Sequence, residues 1–306
     1  MIKLRDYISR YELNPFHYPT QFIRLKRDNW NKLLQLWEDE NEQQRTAEIL
    51  AKQALEKSSS RFRWNLFAQK DNTEEQKDVF KRQLPKAKEQ LRQYFLNRLF
   101  PFQLKWATST LTQVSYTDQE HLYDAQLKFF LQHFPDIYLV MYYPIFNIKK
   151  APVDAEIIMI SPINIEIITI LNETPGSGIT VTDERTWVVE KSNSAKKIIS
   201  PIISLKRTEQ IVESILQKYE LTFGITKTVL AQDVHFVYVT EPYKVNLVGK
   251  NEYDEWYKQK RQLSGSLKGV QLKVMEALAR HCLTTSVRRP EWEQEDDEHL
   301  SFLIGE

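Results

Sequence analysis

The most apolar stretch of the chain, residues 156 to 171, reads EIIMISPINIEIITIL. Isoleucine recurs throughout it, and β-branched residues favour strands because their side chains pack well on a pleated surface. The SPIN tetrapeptide, Ser161 to Asn164, interrupts the stretch with residues that turns prefer. We therefore predict a β-hairpin, and this hairpin decides the fold.

The neighbouring segments extend the hairpin into a larger sheet. Residues 138–148, 187–190 and 235–240 are rich in Ile, Val, Tyr and Phe, which is typical of strands. Residues 117–135 and 208–219 place apolar side chains at helical spacing, and the first of these opens with a capping-box pattern, TDQE. This order predicts an α/β (α+β) fold in which helices flank a mixed sheet.

The two ends of the chain differ in charge. Residues 1–115 carry 21 Lys and Arg against 14 Asp and Glu, and the helical spacing of apolar residues between 28 and 57 makes this part read as helical and basic. Residues 116–245 form the predicted α/β core. Residues 246–306 are predicted to form C-terminal helices followed by an acidic tail, residues 291–298, whose role the sequence does not indicate.

Composition excludes several classes of function. No glycine precedes Gly176, so residues 1–175 contain neither a Walker A loop nor a dinucleotide-binding fingerprint. Cys282 is the only cysteine, which rules out an intrachain disulfide or a cysteine zinc site. The sequence shows no signal peptide and no transmembrane run. We expect a cytoplasmic protein without a membrane partner.

A series of short motifs follows in a fixed order: Phe134-Pro135-Asp136, Tyr138-Leu139-Val140, Ala155-Glu156-Ile157, Ser161-Pro162-Ile163-Asn164, Ile167-Ile168-Thr169-Ile170-Leu171, Trp187 and Ser200-Pro201-Ile202-Ile203-Ser204. Together they resemble the nuclease-related (NERD) domain, a branch of the restriction-endonuclease-like PD-(D/E)XK families. The resemblance covers residues 123–238. It implies a restriction-endonuclease-like sheet, preceded here by the helical N-terminal region.

In active members of that fold, acidic side chains hold a divalent metal and a lysine assists the attacking water. The resemblance places Asp124 at the family's helix acid and Glu156 at its aspartate. It places Thr169 at the strand glutamate, Leu171 at the lysine and Ser204 at the glutamine. Leucine cannot supply a charge, and threonine offers a single neutral oxygen. The resemblance thus implies a degenerate site. No cofactor is expected, with Mg²⁺ or Mn²⁺ at Asp124 and Glu156 only if activity remains.

Three functions stay open. The first is non-catalytic binding of DNA, RNA or a protein partner by an inherited nuclease-like scaffold. The second is a divergent metal-dependent nuclease in which Lys149, Lys150 or Lys191 replaces the family lysine. Glu166 cannot rescue the site, because alternate residues of a strand point to opposite faces and Glu166 has the parity opposite to Thr169. The third is a structural interaction module that uses the N-terminal helices.

A basic and aromatic segment offers a candidate nucleic-acid contact. Arg61, Arg63 and Trp64 combine guanidinium groups, which bind phosphates, with a ring that can stack on bases. An amphipathic helix with a packed tryptophan and solvated arginines has the same composition. His121 and Asp124 are three residues apart, a spacing compatible with metal ligation and equally with an exposed helix cap.

Overall fold

A computed structural model describes residues 2–58, 84–191, 194–238 and 242–289, with the backbone alone for 51–58 and 238. The chain divides into two compact units, residues 24–99 and residues 1–23 with 100–306. The predicted basic segment with Arg61, Arg63 and Trp64 lies outside the described residues, as does the acidic tail, residues 291–298.

The described helices are α1 (Arg10–Leu13), α2 (His17–Ser58), α3 (Lys88–Thr108), α4 (Ala125–His133), α5 (Ile202–Lys218), α6 (Tyr253–Gln262) and α7 (Gly269–Ala279), with a 3₁₀ turn at Gln119–Leu122. The strands are β1 (Ile2–Leu4), β2 (Gln113–Val114), β3 (Leu139–Tyr142), β4 (Ile145–Ile148), β5 (Ala151–Asp154), β6 (Ile157–Ile160), β7 (Asn164–Ile170), β8 (Gly178–Val181), β9 (Thr186–Lys191), β10 (Ser194–Ile199), β11 (Gly224–Leu230), β12 (His235–Tyr238), β13 (Val245–Val248) and β14 (Val287–Arg288).

Residues 24–99 hold most of α2 and the start of α3. Here the ring centroids of Trp30 and Phe95 lie 5.4 Å apart, and the Trp37 indole donates a hydrogen bond of 2.6 Å to the Pro85 carbonyl. Both tryptophans therefore serve to pack this helical unit. The predicted helix over residues 28–57 is confirmed as part of α2.

The larger unit is built on a six-stranded sheet in the order β1-β3-β6-β7-β11-β13. The β3, β6 and β7 strands are antiparallel, whereas β7, β11 and β13 run parallel, so the sheet is mixed and the predicted α+β class is confirmed. The predicted hairpin is β6 and β7. Its turn closes where the Ser161 backbone N–H donates to the Asn164 carbonyl at 2.8 Å and the Ser161 hydroxyl accepts from the Asn164 N–H.

Helices cover both faces of this sheet. On one face α5 packs on β7 and β11 and also contacts α7. On the other face α6 reaches the sheet through Trp256, whose indole donates to Glu166. A second sheet, in the order β10-β9-β8-β12, buries Trp187 completely. None of the described helices is both long enough and apolar enough to span a membrane.

Several elements differ from the sequence prediction. The N-terminal part is not wholly helical, because β1 pairs with β3 at the edge of the sheet, and three residues are too few to show a strand period. The helix predicted to start at Thr117 begins instead at Ala125, after the 3₁₀ turn. The strand predicted over 138–148 breaks at Tyr143, whose φ of 46° ends β3 before β4 begins. The sequence did not predict β11, which lies inside the sheet.

Candidate functional site

A cavity of about 490 Å³, here called the strand-end cavity, opens at the carboxyl ends of β7 and β11. It is lined by Asp124, Ala125, Gln126, Phe129, Ile170, Leu171, Asn172, Glu173, Leu230, Gln232, Asp233, Val234 and Tyr253. In open sheets with parallel strands, ligands bind in crevices outside the carboxyl ends of the strands. Its size also falls within the range of about 300–1,000 Å³ typical of small-molecule sites.

The parallel register of two strands explains this cavity. Ile170 of β7 lies opposite Leu230 of β11, and the Leu171 N–H then donates to the Leu230 carbonyl at 2.9 Å. Both strands therefore leave the sheet at the same edge. The polar residues that follow the strands, Glu173 after β7 and Asp233 after β11, both line the cavity.

Asp124 is fixed by two hydrogen bonds. Its Oδ1 accepts from the Leu127 N–H at 2.9 Å, which makes it the N-cap of α4. Its Oδ2 accepts from the Tyr142 hydroxyl at 2.8 Å. Burial, followed by this hydrogen bond to Asp124, raises the pKa of Tyr142. Both carboxylate oxygens of the family's helix acid are thus engaged within the protein.

Tyr143 lies directly after strand β3. The Gln126 amide donates to the Tyr143 hydroxyl at 2.8 Å. Burial is the largest cause that raises the pKa of Tyr143, and the negative charges of Glu156 and Asp124 raise it further against the opposing effect of the Gln126 bond. The charges of the two acids that the resemblance assigns to a metal site thus both act on the pKa of one phenol.

Glu156 and Thr169 are neighbours across two strands. Ile157 pairs with Ile168, so the next position along the ladder brings Glu156 beside Thr169. The Glu156 N–H donates to the Thr208 hydroxyl of α5 at 3.1 Å. Thr169 is 9% exposed, and its Oγ1 is buried without a hydrogen-bond partner. At the position where the resemblance expects a glutamate, the protein thus has a buried hydroxyl without a hydrogen-bond partner.

The remaining family positions are also neutral. Ser204 donates to the Pro201 carbonyl at 3.0 Å inside the first turn of α5, four residues before Thr208. Leu171 lines the strand-end cavity, which has no lysine, arginine or histidine among its lining residues. The side chain of Tyr142, which binds Asp124, points to the same face of the sheet as that of Ile168. Thr169, the next residue, points to the opposite face, so the sheet separates Asp124 from Thr169.

The alternative lysines lie at other places. Lys149 and Lys150 form the turn between β4 and β5, with φ angles of 50° and 66°. Lys191 ends β9, and its ammonium lies 3.5 Å from the Thr174 hydroxyl, next to the cavity residue Glu173. Of the three lysines, Lys191 is thus the one that contacts a residue adjacent in sequence to the cavity lining.

The donor atoms do not fit a divalent metal. Among the described residues no group of three His, Cys, Asp or Glu could hold a metal ion. Mg²⁺ and Mn²⁺ prefer several oxygen ligands in a nearly regular geometry, yet both oxygens of Asp124 already accept hydrogen bonds. Asp124 and Glu156 thus do not form a pair of metal ligands.

Sequence reasoning missed most of the cavity. Glu173, Asp233 and Tyr253 line it but stood outside the predicted site. Polar residues that directly follow two parallel strands would have indicated the cavity. This pattern could not be recognised because β11 was not predicted. The parity argument for Glu166 is correct, since its carboxylate lies on the α6 side, 2.5 Å from the Lys260 ammonium.

Comparison with known proteins gives little overlap. The chain matches no protein-family model, and no solved structure matches it. It is 50% identical over 42 residues to an RNA 2',3'-cyclic phosphodiesterase from Geobacillus stearothermophilus. That match covers 14% of this chain and 13% of the phosphodiesterase. The fold and site therefore define an α+β protein with a strand-end cavity, without assigning it to a family.

Proposed function

We propose that this chain is a non-catalytic, nuclease-like protein that binds nucleic acid through an inherited restriction-endonuclease-like scaffold. The observation that carries the proposal is Leu171, an apolar side chain that lines the strand-end cavity at the position of the family lysine. A leucine neither donates a proton nor stabilises a developing negative charge. In the part of the chain that resembles NERD domains, three of the five positions lack the family's residue, whereas Asp124 and Glu156 keep a carboxylate.

The neutral or engaged state of the other positions supports the same proposal. Asp124 serves as a helix cap, and Thr169 has a buried hydroxyl in place of a carboxylate. A nucleic-acid ligand is favoured over a protein partner by the short similarity to a protein described as an RNA phosphodiesterase. The protein partner is the alternative outcome when the chain retains no affinity for nucleic acid.

A nuclease assay with Mg²⁺ and with Mn²⁺ tests the absence of catalysis. The wild type is compared with Glu156→Ala, which keeps the backbone bond to Thr208, and with Asp154→Ala as a control at an exposed carboxylate of β5. We expect no metal-dependent cleavage of single- or double-stranded DNA or RNA by any of them. Cleavage by the wild type and the control, but not by Glu156→Ala, would contradict the proposal.

Binding is tested separately by fluorescence anisotropy with labelled RNA and DNA at increasing salt. Cations that contact phosphates release counterions, so log K should fall linearly with log salt concentration. An affinity that does not change with salt rules out phosphate contacts. Absence of any nucleic-acid affinity at low salt favours the protein-partner and structural-module alternatives.

The relocated-lysine nuclease is a second candidate because of Lys191. Its ammonium lies 3.5 Å from Thr174, and Thr174 adjoins Glu173 of the strand-end cavity. In the same assay, cleavage that disappears in Lys191→Ala but persists in Lys197→Ala, an exposed lysine of the adjacent strand β10, would favour this candidate.

A further inference from the structure

A second cavity, of about 350 Å³, lies away from the strand-end cavity and is here called the α3 cavity. Its walls come from the second half of α3, the residues around β2, the segment 117–122, β1 and the residue after β14. They are Leu4, Pro101, Leu104, Lys105, Thr108, Ser109, Val114, Thr117, Asp118, Gln119, His121, Leu122 and Arg289. The lining combines an apolar part with hydroxyl and charged groups, as small-molecule sites do.

The polar lining of the α3 cavity includes two cationic side chains, one carboxylate and one imidazole. Lys105 comes from α3, His121 from the 3₁₀ turn and Arg289 from the position after β14, whereas Asp118 is the one carboxylate in the lining. Groups from three separate elements thus converge on one space. Lysine and arginine are the side chains that proteins use for phosphate groups.

Two contacts hold the wall that carries His121. The ring of Tyr7 meets the His121 ring edge-on, with centroids 5.6 Å apart, and the Tyr7 hydroxyl lies 3.4 Å from His121 Nε2. The Ser115 hydroxyl accepts from the Ile8 N–H at 2.7 Å and donates to the Thr285 carbonyl. The segment that starts at Ser115 is therefore anchored to the N-terminus and to the chain before β14, which pre-organises the cavity.

The same segment exposes two tyrosines. Tyr116 is 82% exposed and Tyr123 is 79% exposed, one on each side of the lining residues 117–122. The Lys128 ammonium lies 5.9 Å from the centroid of the Tyr123 ring. Exposed rings beside cations are the composition of surfaces that bind single-stranded nucleic acid, where bases stack on the rings.

Nearby carboxylates limit how a nucleic-acid chain could lie here. Asp118, Glu120 and Asp124 surround the surface next to His121 and Tyr123. A phosphate backbone that ran past Tyr123 would meet these negative charges and be repelled. A strand that ends in the α3 cavity meets only Asp118 of these three carboxylates, and the charges of Lys105 and Arg289 in the same lining offset it.

We infer that the α3 cavity binds the terminal phosphate and terminal nucleotide of a single-stranded nucleic acid, with the adjacent base stacked on Tyr116. This inference rests on the nucleic-acid binding proposed above and adds its site and its preferred end. The volume of about 350 Å³ lies at the lower end of the range of about 300–1,000 Å³ typical of small-molecule sites, which suits a single terminal nucleotide. Lys105 supplies the principal phosphate contact, since it is exposed at the cavity and belongs to a helix that fixes its backbone.

The test uses ten-nucleotide RNAs that carry a 5'-phosphate, a 3'-phosphate or hydroxyls at both ends. Their affinities are measured for the wild type and for two pairs of variants. Lys105→Glu is matched with Lys273→Glu, a similarly exposed lysine of α7, and Tyr116→Ala with Tyr243→Ala, which removes a ring that is 80% exposed elsewhere.

We expect the wild type to prefer one phosphorylated end over hydroxyl ends by about tenfold. Lys105→Glu should abolish this preference, and Tyr116→Ala should weaken binding about tenfold, in line with the loss of a phosphate contact and of a stacked base. The two control variants should bind as the wild type does. Equal sensitivity in the control and cavity variants would overturn the assignment of the site.

The outcomes separate this inference from the proposed function. RNA binding that is salt-dependent but indifferent to end phosphates and to Lys105→Glu overturns the α3 cavity as the site and leaves the proposed function standing. Failure of all three RNAs to bind at low salt contradicts nucleic-acid binding itself.

Discussion

The Tyr142 hydroxyl donates a hydrogen bond of 2.8 Å to Oδ2 of Asp124, whose other oxygen caps α4. This one carboxylate therefore joins the start of a helix to the end of strand β3. Each oxygen of this carboxylate thus accepts one hydrogen bond from within the protein. The position that the NERD resemblance assigns to metal binding contributes here to stability.

Replacement of Asp124 should consequently destabilise the fold. Asp124→Ala removes the cap and leaves the partly buried Tyr142 hydroxyl without its acceptor, and we expect a loss of about 1–3 kcal/mol in the free energy of unfolding. Asp124→Asn, which keeps an oxygen acceptor, should lose less. Urea denaturation measures both, with Asp154→Ala as an exposed control. A fully stable Asp124→Ala would show that the cap and the tyrosine bond contribute nothing.

Thr169 offers a prediction of opposite sign. Its Oγ1 is buried without a partner, so Thr169→Val replaces an unsatisfied hydroxyl by a methyl group of similar size. We expect an increase of up to about 1 kcal/mol in the free energy of unfolding. Thr208→Val is the matched variant, because the Thr208 hydroxyl accepts from the Glu156 N–H, and it should lose about 1 kcal/mol.

Thermal and urea unfolding of both threonine variants measure these changes in the free energy of unfolding. Stabilisation by Thr169→Val together with destabilisation by Thr208→Val supports the difference in hydrogen bonding. If Thr169→Val instead destabilises the protein as much as Thr208→Val does, the Thr169 hydroxyl has a partner that stabilises the fold.

The fold was predictable where the local signal was strong. Residues 156–171 carry β-branched side chains and a turn tetrapeptide, and they form β6 and β7 as expected. The strand β11 was missed because it reads GITKTVL, in which Lys227 and two threonines dilute the apolar pattern. Lys227 is nevertheless buried, since it forms an ion pair with Glu209 of α5. A partner in another element satisfied the charge, and local sequence does not reveal such a partner.

The site was less predictable for the same reason. The capping-box pattern at Thr117 competed with Asp124, which caps the helix that actually forms, and both are equally plausible from sequence alone. Glu173 and Asp233 line the same cavity because β7 and β11 run parallel in one register. The leucine at position 171, where the NERD resemblance expects a lysine, could by contrast be read from the sequence without any long-range contact.

Cys282 should react slowly with thiol reagents in the folded protein. Burial raises the pKa of its thiol from 9.0 to about 12, with a smaller lowering effect of Lys3. The reactive thiolate at pH 8 is then about 1,000-fold scarcer than in an unfolded chain. Labelling at pH 8, native against denatured, measures this in a chain whose single cysteine serves as its own control. Equal rates in the two states would contradict burial of the thiol.

The same shift affects stability at high pH. Because the folded pKa lies above the unfolded one, the contribution of Cys282 is fully present below about pH 9 and is lost as the pH rises from about 9 to 12. Cys282→Ala removes this contribution. Its free energy of unfolding should therefore fall less steeply than that of the wild type over this pH interval, as measured by urea denaturation.

Glu166 and Lys260 form the ion pair that joins β7 to α6, with the two charged atoms 2.5 Å apart. Thr228 and Trp256 also donate to Glu166, at 2.6 and 3.1 Å, so this carboxylate, 2% exposed, is held by three groups. Lys260→Met removes one partner and leaves a buried charge, which should cost about 3–5 kcal/mol. Lys258→Met is a nearby control on the exposed side of α6.

The double variant Glu166→Gln/Lys260→Met separates the charge from the packing. Glutamine keeps an oxygen acceptor for Thr228 and Trp256 but carries no charge, so the penalty for an unpaired buried carboxylate disappears. We expect the double variant to be more stable than Lys260→Met alone in urea denaturation. If the double variant is less stable than that single variant, packing around Lys260, and not the unpaired charge of Glu166, accounts for the loss.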